Sequence, residues 1–130
     1  MSDCAILICD DEADIRAAMR RTLRGFLVTE ADSAQAALAI LREREFDAVV
    51  SDFSLGQGRD GLEVLQYVRV SQPSAIRFLV TGNTDLQVAI RALNEGSVHR
   101  YFMKPWDDDQ VRYALQLELH RRIPAPGATP

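Results

Sequence analysis

Short apolar runs alternate with segments of helical periodicity along this chain. The runs have the length of strands buried on both faces, and apolar residues spaced three or four apart follow each of them. The predicted strands are Ala5–Cys9, Phe26–Thr29, Asp47–Ser51, Ile76–Val80 and His99–Met103. Five strands alternating with five helices predict a doubly wound α/β fold with a five-stranded parallel sheet. At this size the flavodoxin-like order 2-1-3-4-5 is common.

Capping and stop residues bound the predicted helices. The residues suited to begin a helix as N-terminal caps are Ser33, Thr84 and Asp107. The residues suited to end one are Gly25, Pro73 and Gly96. The last helix is predicted to run to about Arg121, and the glycine-rich stretch 54–61 (SLGQGRDG) predicts a loop. Residues 1–123 are therefore expected to form one domain, and 124–130 (PAPGATP) a flexible tail or the start of a linker.

Composition and charge narrow the class of protein. The chain has 130 residues, of which 47% are hydrophobic and 26% charged, the balance of one globular domain. A net charge of -4 argues against direct contact with nucleic acid. No apolar run approaches the ~20 residues of a membrane span, and no signal peptide is visible. Cys4 directly precedes the first predicted strand and Cys9 ends it, so in an extended chain they lie roughly 16 Å apart, too far for a disulfide. We therefore expect a cytoplasmic protein.

Polar side chains stand where four of the predicted strands end. Asp10 and Asp11 follow the first strand, Asp52 the third, Thr81 the fourth and Lys104 the fifth. Each alone is explained as well by a helix start, a turn or a solvated surface. Together they bound one crevice, because the carboxyl ends of parallel strands meet at one edge of the sheet.

The residue types in this crevice suit one chemistry. The crowded carboxylates of Asp10, Asp11 and Asp52 repel one another, and Mg²⁺ prefers such oxygen ligands. A carboxylate is also a nucleophile for phosphoryl groups, which would make Asp52 an aspartyl phosphate. Thr81 is placed to donate a hydrogen bond to a phosphoryl oxygen, and Lys104 to pair with another as a point charge.

Four motifs then resemble the receiver domains of bacterial two-component response regulators. They are LICDDE at 7–12, VVSD at 49–52, VTG at 80–82 and MKP at 103–105, and the resemblance covers about residues 3 to 122. It implies that Asp52 accepts the phosphoryl group. It also implies that Mg²⁺ is bound directly by Asp11, more through water by Asp10, and by the backbone carbonyl of Ser54.

The resemblance assigns further roles and partners. Thr81 and Lys104 take the switch and phosphate-binding roles, and the aromatic ring of Tyr101 swings inward when Thr81 moves toward the phosphate. The phosphodonor is a sensor histidine kinase or a phosphotransfer protein. The domain is a switch with at most self-phosphorylation and slow self-dephosphorylation, not an enzyme. Its target is an output domain, such as a cyclic-di-GMP phosphodiesterase, or a separate protein, and homodimers are common in the family.

Two local features stay open at this point. Leu55-Gly56 departs from the Met-Pro pair of many receivers, and this loop is one residue longer than usual, so we expect it to be more mobile. Trp106 is either an exposed partner contact or a cap that packs on the last helix.

Three other classes of protein compete with a phosphorylated receiver. An aspartyl phosphatase of the haloacid dehalogenase type would need a second Asp two residues after Asp52, where this chain has Ser54. A flavodoxin would need a Ser/Thr/Gly-rich phosphate loop after the first strand, where Asp10, Asp11 and Glu12 would repel a flavin phosphate. A phosphate-independent interaction module typically loses part of the acidic set, and here none is missing.

Overall fold

The computed structural model describes residues 3–82 and 86–122. The strands within these ranges are β1 Ala5–Cys9, β2 Leu27–Ala31, β3 Ala48–Asp52, β4 Ile76–Thr81 and β5 Arg100–Met103. The helices are α1 Ala13–Thr22, α2 Ala34–Glu43, α3 Asp60–Ser71, α4 Leu86–Asn94 and α5 Asp108–Arg121. No helix in the described part of the chain has the length and apolar character needed to cross a bilayer.

The five strands form one parallel sheet in the order β2-β1-β3-β4-β5, which confirms the predicted topology. Cys9 pairs with Ser51 across β1 and β3, so the residues that follow these two, Asp10 and Asp52, reach the same level of the sheet. Thr81 pairs with Met103 across β4 and β5, at the same edge. The register therefore assembles four strand ends around the point where the strand order reverses.

Both faces of the sheet are covered because successive strand residues point to opposite sides. On one side Leu7, Val49 and Leu79 form a core with side chains from α2, α3 and α4. On the other side Ile8 and Phe78 form a second core with side chains from α1 and α5. This two-sided burial is why the strands read as continuous apolar runs in the sequence.

Two helix N-termini follow the sequence prediction. The Ser33 hydroxyl accepts a hydrogen bond from the Ala36 amide at 3.0 Å, and the Asp107 carboxylate accepts one from the Gln110 amide at 3.0 Å. Both residues are therefore N-caps, as predicted. The predicted cap Thr84 and the predicted tail 124–130 lie outside the described residues.

Two helix boundaries differ from the prediction, and four of the five strands are shifted at one or both ends by one or two residues. Helix α1 ends at Thr22, before the expected stop at Gly25, because residues 23–26 form a turn closed by a hydrogen bond from the Phe26 amide to the Leu23 carbonyl. Helix α3 begins at Asp60, so the last two residues of the predicted loop 54–61 are helical. Here a carboxylate oxygen of Asp60 accepts a hydrogen bond from the Leu55 amide and closes the loop against the start of the helix.

Candidate functional site

The predicted polar residues meet at the carboxyl edge of the sheet. Asp10 directly follows β1, and Lys104 directly follows β5. Asp52 and Thr81 are the last residues of β3 and β4, one position further into the strands than the sequence pattern predicted. Strand ends are held by the sheet's own hydrogen bonds, so these four side chains start from a rigid base.

Lys104 joins two of the carboxylates. Its Nζ lies 3.2 Å from Asp10 Oδ2 and 3.1 Å from Asp52 Oδ2. Burial alone would lower the pKa of Lys104, but the carboxylates of Asp52 and Asp10 outweigh that effect and raise the pKa. The ammonium group is therefore held in its charged form between the two acids.

The pKa of Asp52 is raised in spite of the neighbouring lysine. Burial raises the pKa of its carboxyl group, Lys104 opposes this rise, and the negative charge of Asp10 adds to it, so that the pKa stays above its ordinary value. Its Oδ1 accepts a hydrogen bond from the Phe53 amide at 2.8 Å, which leaves Oδ2 on the side of Lys104. One lysine does not neutralise the negative charge here, and a further cation at this place would lower the pKa of Asp52.

A cluster of three acidic side chains follows β1. One carboxylate oxygen from each of Asp10, Asp11 and Glu12 lies within 4.8 Å of the other two, with Asp10 buried and the other two residues exposed. Asp10 Oδ1 accepts a hydrogen bond from the Glu12 amide at 2.9 Å, which fixes the turn out of the strand. Asp10 and Asp11 were predicted as metal ligands, whereas Glu12 was not. Hard oxygen donors at this spacing fit a divalent cation such as Mg²⁺.

The loop after Asp52 is held close to the site by main-chain contacts. The Gly61 amide donates to the Phe53 carbonyl at 3.0 Å, so the first turn of α3 lies against the end of β3. A Cβ atom on Gly61 would lie 1.7 Å from the carbonyl oxygen of Asp52. Glycine is needed at this position because two backbones pass so close together. Ser54, predicted to offer its carbonyl to the metal, lies two residues beyond Asp52 in this loop.

Thr81 and Tyr101 lie on one face of the sheet. Thr81 is fully buried, and its hydroxyl donates to the Gly82 carbonyl at 3.2 Å, while its own carbonyl accepts from the Lys104 amide at 3.0 Å. Tyr101 pairs with Leu79, two residues before Thr81, and the partly buried ring packs against the core on the α2–α3–α4 side. The predicted switch pair therefore shares the side of the sheet that α4 covers.

The structure favours the packed interpretation of Trp106 over the exposed one and adds a contact with α1 that the sequence did not predict. Its indole Nε1 donates to the hydroxyl of Thr22 in α1 at 2.9 Å, and its ring packs against the α1–α5 core. The ring also lines a small cavity together with Asp10 and Asp52. Trp106 is therefore tied to α1 and lies beside the site.

Besides Glu12, sequence reasoning missed Arg16, which contacts the main chain of the site. Arg16, in the second turn of α1, donates from Nη1 to the main-chain carbonyl of Asp10 at 2.8 Å. The only sequence signal for this contact is an arginine that follows the acidic run on the first helix, and the helix docking decides where it points.

The chain is similar to a known protein family over most of its length. Residues 6–116 match the model of the response regulator receiver domain. The hydrogenase transcriptional regulatory protein HoxA of Cupriavidus necator is 35% identical over 93% of this chain, and the transcriptional regulatory protein FixJ of Bradyrhizobium diazoefficiens is 33% identical over 92%. The chain spans 27% of the length of the first relative and 58% of the second.

A solved structure shares the arrangement as a whole. The signal receiver domain of an HD domain-containing protein from Pseudomonas fluorescens superposes with a TM-score of 0.82 at 33% identity, covering 93% of this chain and 90% of that one.

Proposed function

This chain belongs to the response regulator receiver family, and from that premise we propose that it takes part in two-component signalling by accepting a phosphoryl group on Asp52. The observation that supports Asp52 most directly is the position of Lys104, whose Nζ bridges Asp52 Oδ2 and Asp10 Oδ2. A cation between a nucleophilic carboxylate and a metal-binding one is placed to pair with the negative charge of a phosphoryl group that is transferred to the nucleophile.

Mg²⁺ is the cofactor that the donor set suits. Asp11 would bind it directly, Asp10 more through water, and Asp52 and the Ser54 carbonyl would complete the protein ligands. When bound, Mg²⁺ neutralises charge on the acids and on the transferred group. This proposal is supported by the acidic cluster that follows β1 and by the raised pKa of Asp52.

The transfer itself needs little beyond positioning. A carboxylate oxygen of Asp52 forms a bond to phosphorus, while the bond from phosphorus to the donor atom breaks and its electron pair leaves with the donor. Lys104 pairs with one phosphoryl oxygen. Thr81 turns its hydroxyl toward another, and the space it leaves admits the ring of Tyr101.

The proposed phosphodonor is a sensor histidine kinase or a phosphotransfer protein. The domain acts as a switch, with no turnover of a separate substrate, and we place it in the cytoplasm with its phosphodonor. Both cysteines are free thiols, which is consistent with a reducing compartment. The output is a partner protein or a further domain, with a cyclic-di-GMP phosphodiesterase as one candidate.

A second output follows from the relatives. HoxA and FixJ are named as transcriptional regulators. A longer protein that contains this domain is therefore a candidate to act on DNA through another part. The receiver domain itself has a net charge of -4, which does not favour direct contact with nucleic acid.

The test is phosphorylation in vitro with acetyl phosphate and Mg²⁺, followed by intact-mass measurement. We expect one phosphoryl group on the wild type and none on Asp52→Asn. Asp47→Asn is the matched control, since Asp47 lies just before β3, at the opposite end of the strand, and Asn can still accept from the Ala5 amide. This control should be labelled like the wild type. Labelling of Asp52→Asn would refute the assignment, and steady release of phosphate from an ester would support the phosphatase.

A further inference from the structure

The main-chain carbonyl of Asp10 lies where β1 leaves the sheet. The last paired residue of β1 is Cys9, and the Asp10 amide still donates to the Ala31 carbonyl at 3.1 Å. The hydrogen bond to the next carbonyl, that of Asp10, comes from a side chain: Arg16 Nη1 donates to it at 2.8 Å. The peptide that joins Asp10 to Asp11 is thus held by a guanidinium group instead of by a strand.

Arg16 is itself held in place. Its Nε donates to Glu30 Oε1 in β2 at 2.9 Å, and Arg20 donates to the other oxygen of the same carboxylate at 2.7 Å. The hydrogen bond from Arg20, and then the contacts with Arg16, lower the pKa of Glu30 against the effect of burial. The side chain of Arg16 is 18% exposed, whereas that of Arg20 is 52% exposed. Arg16 therefore spans two acceptors with two nitrogens of one rigid plane.

This peptide decides where the acidic side chains point. The Asp10 carboxylate is fixed by the Glu12 amide on Oδ1 and by Lys104 on Oδ2. Rotation of the peptide between Asp10 and Asp11 would swing the Asp11 carboxylate away from that of Asp10. Partners of this kind, which orient ligands without touching the metal, commonly tune metal affinity.

We infer that Arg16 is a positioning residue for Mg²⁺: its guanidinium, anchored on Glu30, holds the Asp10 carbonyl so that the Asp10 and Asp11 carboxylates face one cation. The inference rests on the proposed function of this site. It concerns binding of the cation and not the transfer, so it can be tested in the absence of a phosphodonor.

A role for Arg16 through its charge alone predicts the opposite sign. A positive charge near the site repels Mg²⁺, so its removal in Arg16→Gln would tighten binding, and Arg16→Lys would leave binding unchanged. Positioning predicts that both substitutions weaken binding. A glutamine lacks the forked donor, and a lysine has one nitrogen in place of the planar pair.

The experiment measures Mg²⁺ affinity by titration of Trp106 fluorescence. Trp106 is the single tryptophan of the chain, and its ring lines a cavity with Asp10 and Asp52. We expect Arg16→Lys and Arg16→Gln each to weaken Mg²⁺ binding about tenfold. Arg20→Lys is the matched control, because Arg20 binds the same carboxylate of Glu30 without contacting Asp10, and its affinity should stay within about twofold of the wild type.

Thermal melts of every variant separate positioning from loss of fold. If the Arg16 variants do not fold, Glu30→Gln provides the test, and it should weaken Mg²⁺ binding more than Arg20→Lys does. Unchanged or tighter binding in a folded Arg16→Lys or Arg16→Gln variant overturns the inference, as does equal weakening in Arg20→Lys. If the wild type is phosphorylated at Asp52 but the Arg16 variants bind Mg²⁺ with normal affinity, this inference is refuted while the proposed function stands. Absence of any Asp52 labelling in the wild type would sink the proposed function.

Discussion

In Gly61→Ala two effects on stability have opposite signs. The helix propensity of alanine favours the substitution, and a close tertiary contact opposes it. Gly61 lies in the first turn of α3, where alanine is the better helix former by about 1 kcal/mol. The sequence alone therefore predicts that Gly61→Ala stabilises the protein. Gly61 is buried, however, and the new Cβ would meet the carbonyl oxygen of Asp52 at 1.7 Å.

The size of the stability loss in Gly61→Ala depends on whether the atoms that the new Cβ meets can move away. Real Cβ contacts essentially never fall below 3.0 Å, and the atoms that a methyl group would meet belong to the backbone of Asp52 and Phe53. A side chain could rotate away, but a strand end in a hydrogen-bonded sheet cannot. Overpacking of this kind costs up to about 3 kcal/mol, so the net loss after the helix gain is about 2 kcal/mol. For a domain of this size we expect the melting temperature to fall by roughly 8 °C.

The assay is urea and thermal unfolding followed by circular dichroism. Gly82→Ala is the matched control, because a Cβ there meets no atom within 4 Å and the backbone does not have a positive φ. Its free energy of unfolding should stay within about 0.5 kcal/mol of the wild type. Labelling by acetyl phosphate should also slow in Gly61→Ala, since the clash falls on the acceptor residue itself. A Gly61→Ala protein as stable as the wild type, or a control that loses as much, would refute the reasoning.

Two further predictions concern pH and the metal. Burial and the charge of Arg77 lower the pKa of His99 below its ordinary value of 6.5, with Glu118 opposing them, and His99 Nδ1 accepts from the Arg77 amide at 3.0 Å. A lowered pKa means that the neutral form stabilises the fold above pH 6.5 and that this contribution is lost as pH falls below it, by at most about 1.4 kcal/mol per pH unit. In His99→Asn the extra fall in unfolding free energy between about pH 6.5 and 5 should vanish, and the same fall in both proteins would contradict the assignment. Asp11→Asn should weaken Mg²⁺ binding and block phosphorylation while leaving the metal-free protein as stable or more stable, because one repulsion is removed; unchanged Mg²⁺ affinity would show that the assigned site is wrong.

Much of the fold could be predicted from the sequence because the patterns that specify strands and helix caps involve residues close together in the chain. A strand buried on both faces must be apolar throughout, so Ala5–Cys9 and Ile76–Val80 stood out without any knowledge of their neighbours. Caps are equally local, since Ser33 and Asp107 bond to amides three residues away. Helix ends without such a cap, such as the turn after Thr22, were placed less well.

The candidate site was predictable for a related reason. In a parallel sheet every strand ends at the same edge, so residues that follow different strands must meet there. This rule brought together Asp10, Asp52, Thr81 and Lys104, although Lys104 and Asp10 lie 94 positions apart. No comparable rule governs a helix, whose rotation about its own axis depends on packing. The contact of Arg16 with the Asp10 carbonyl and the bond of Trp106 to Thr22 in α1 were therefore not predicted.

The sequence by itself determined the element order, the parallel sheet and the set of strand ends that bound one crevice. Only the tertiary structure decided that Lys104 bridges two acids, that Arg16 holds the Asp10 carbonyl and that Trp106 bonds to Thr22 across 84 positions. It also showed that Gly61 is required by a backbone contact. The physical reason is that periodicity and strand ends are properties of short segments. Distances between side chains depend instead on how every helix docks on the sheet, and that is settled by the packing of the whole core.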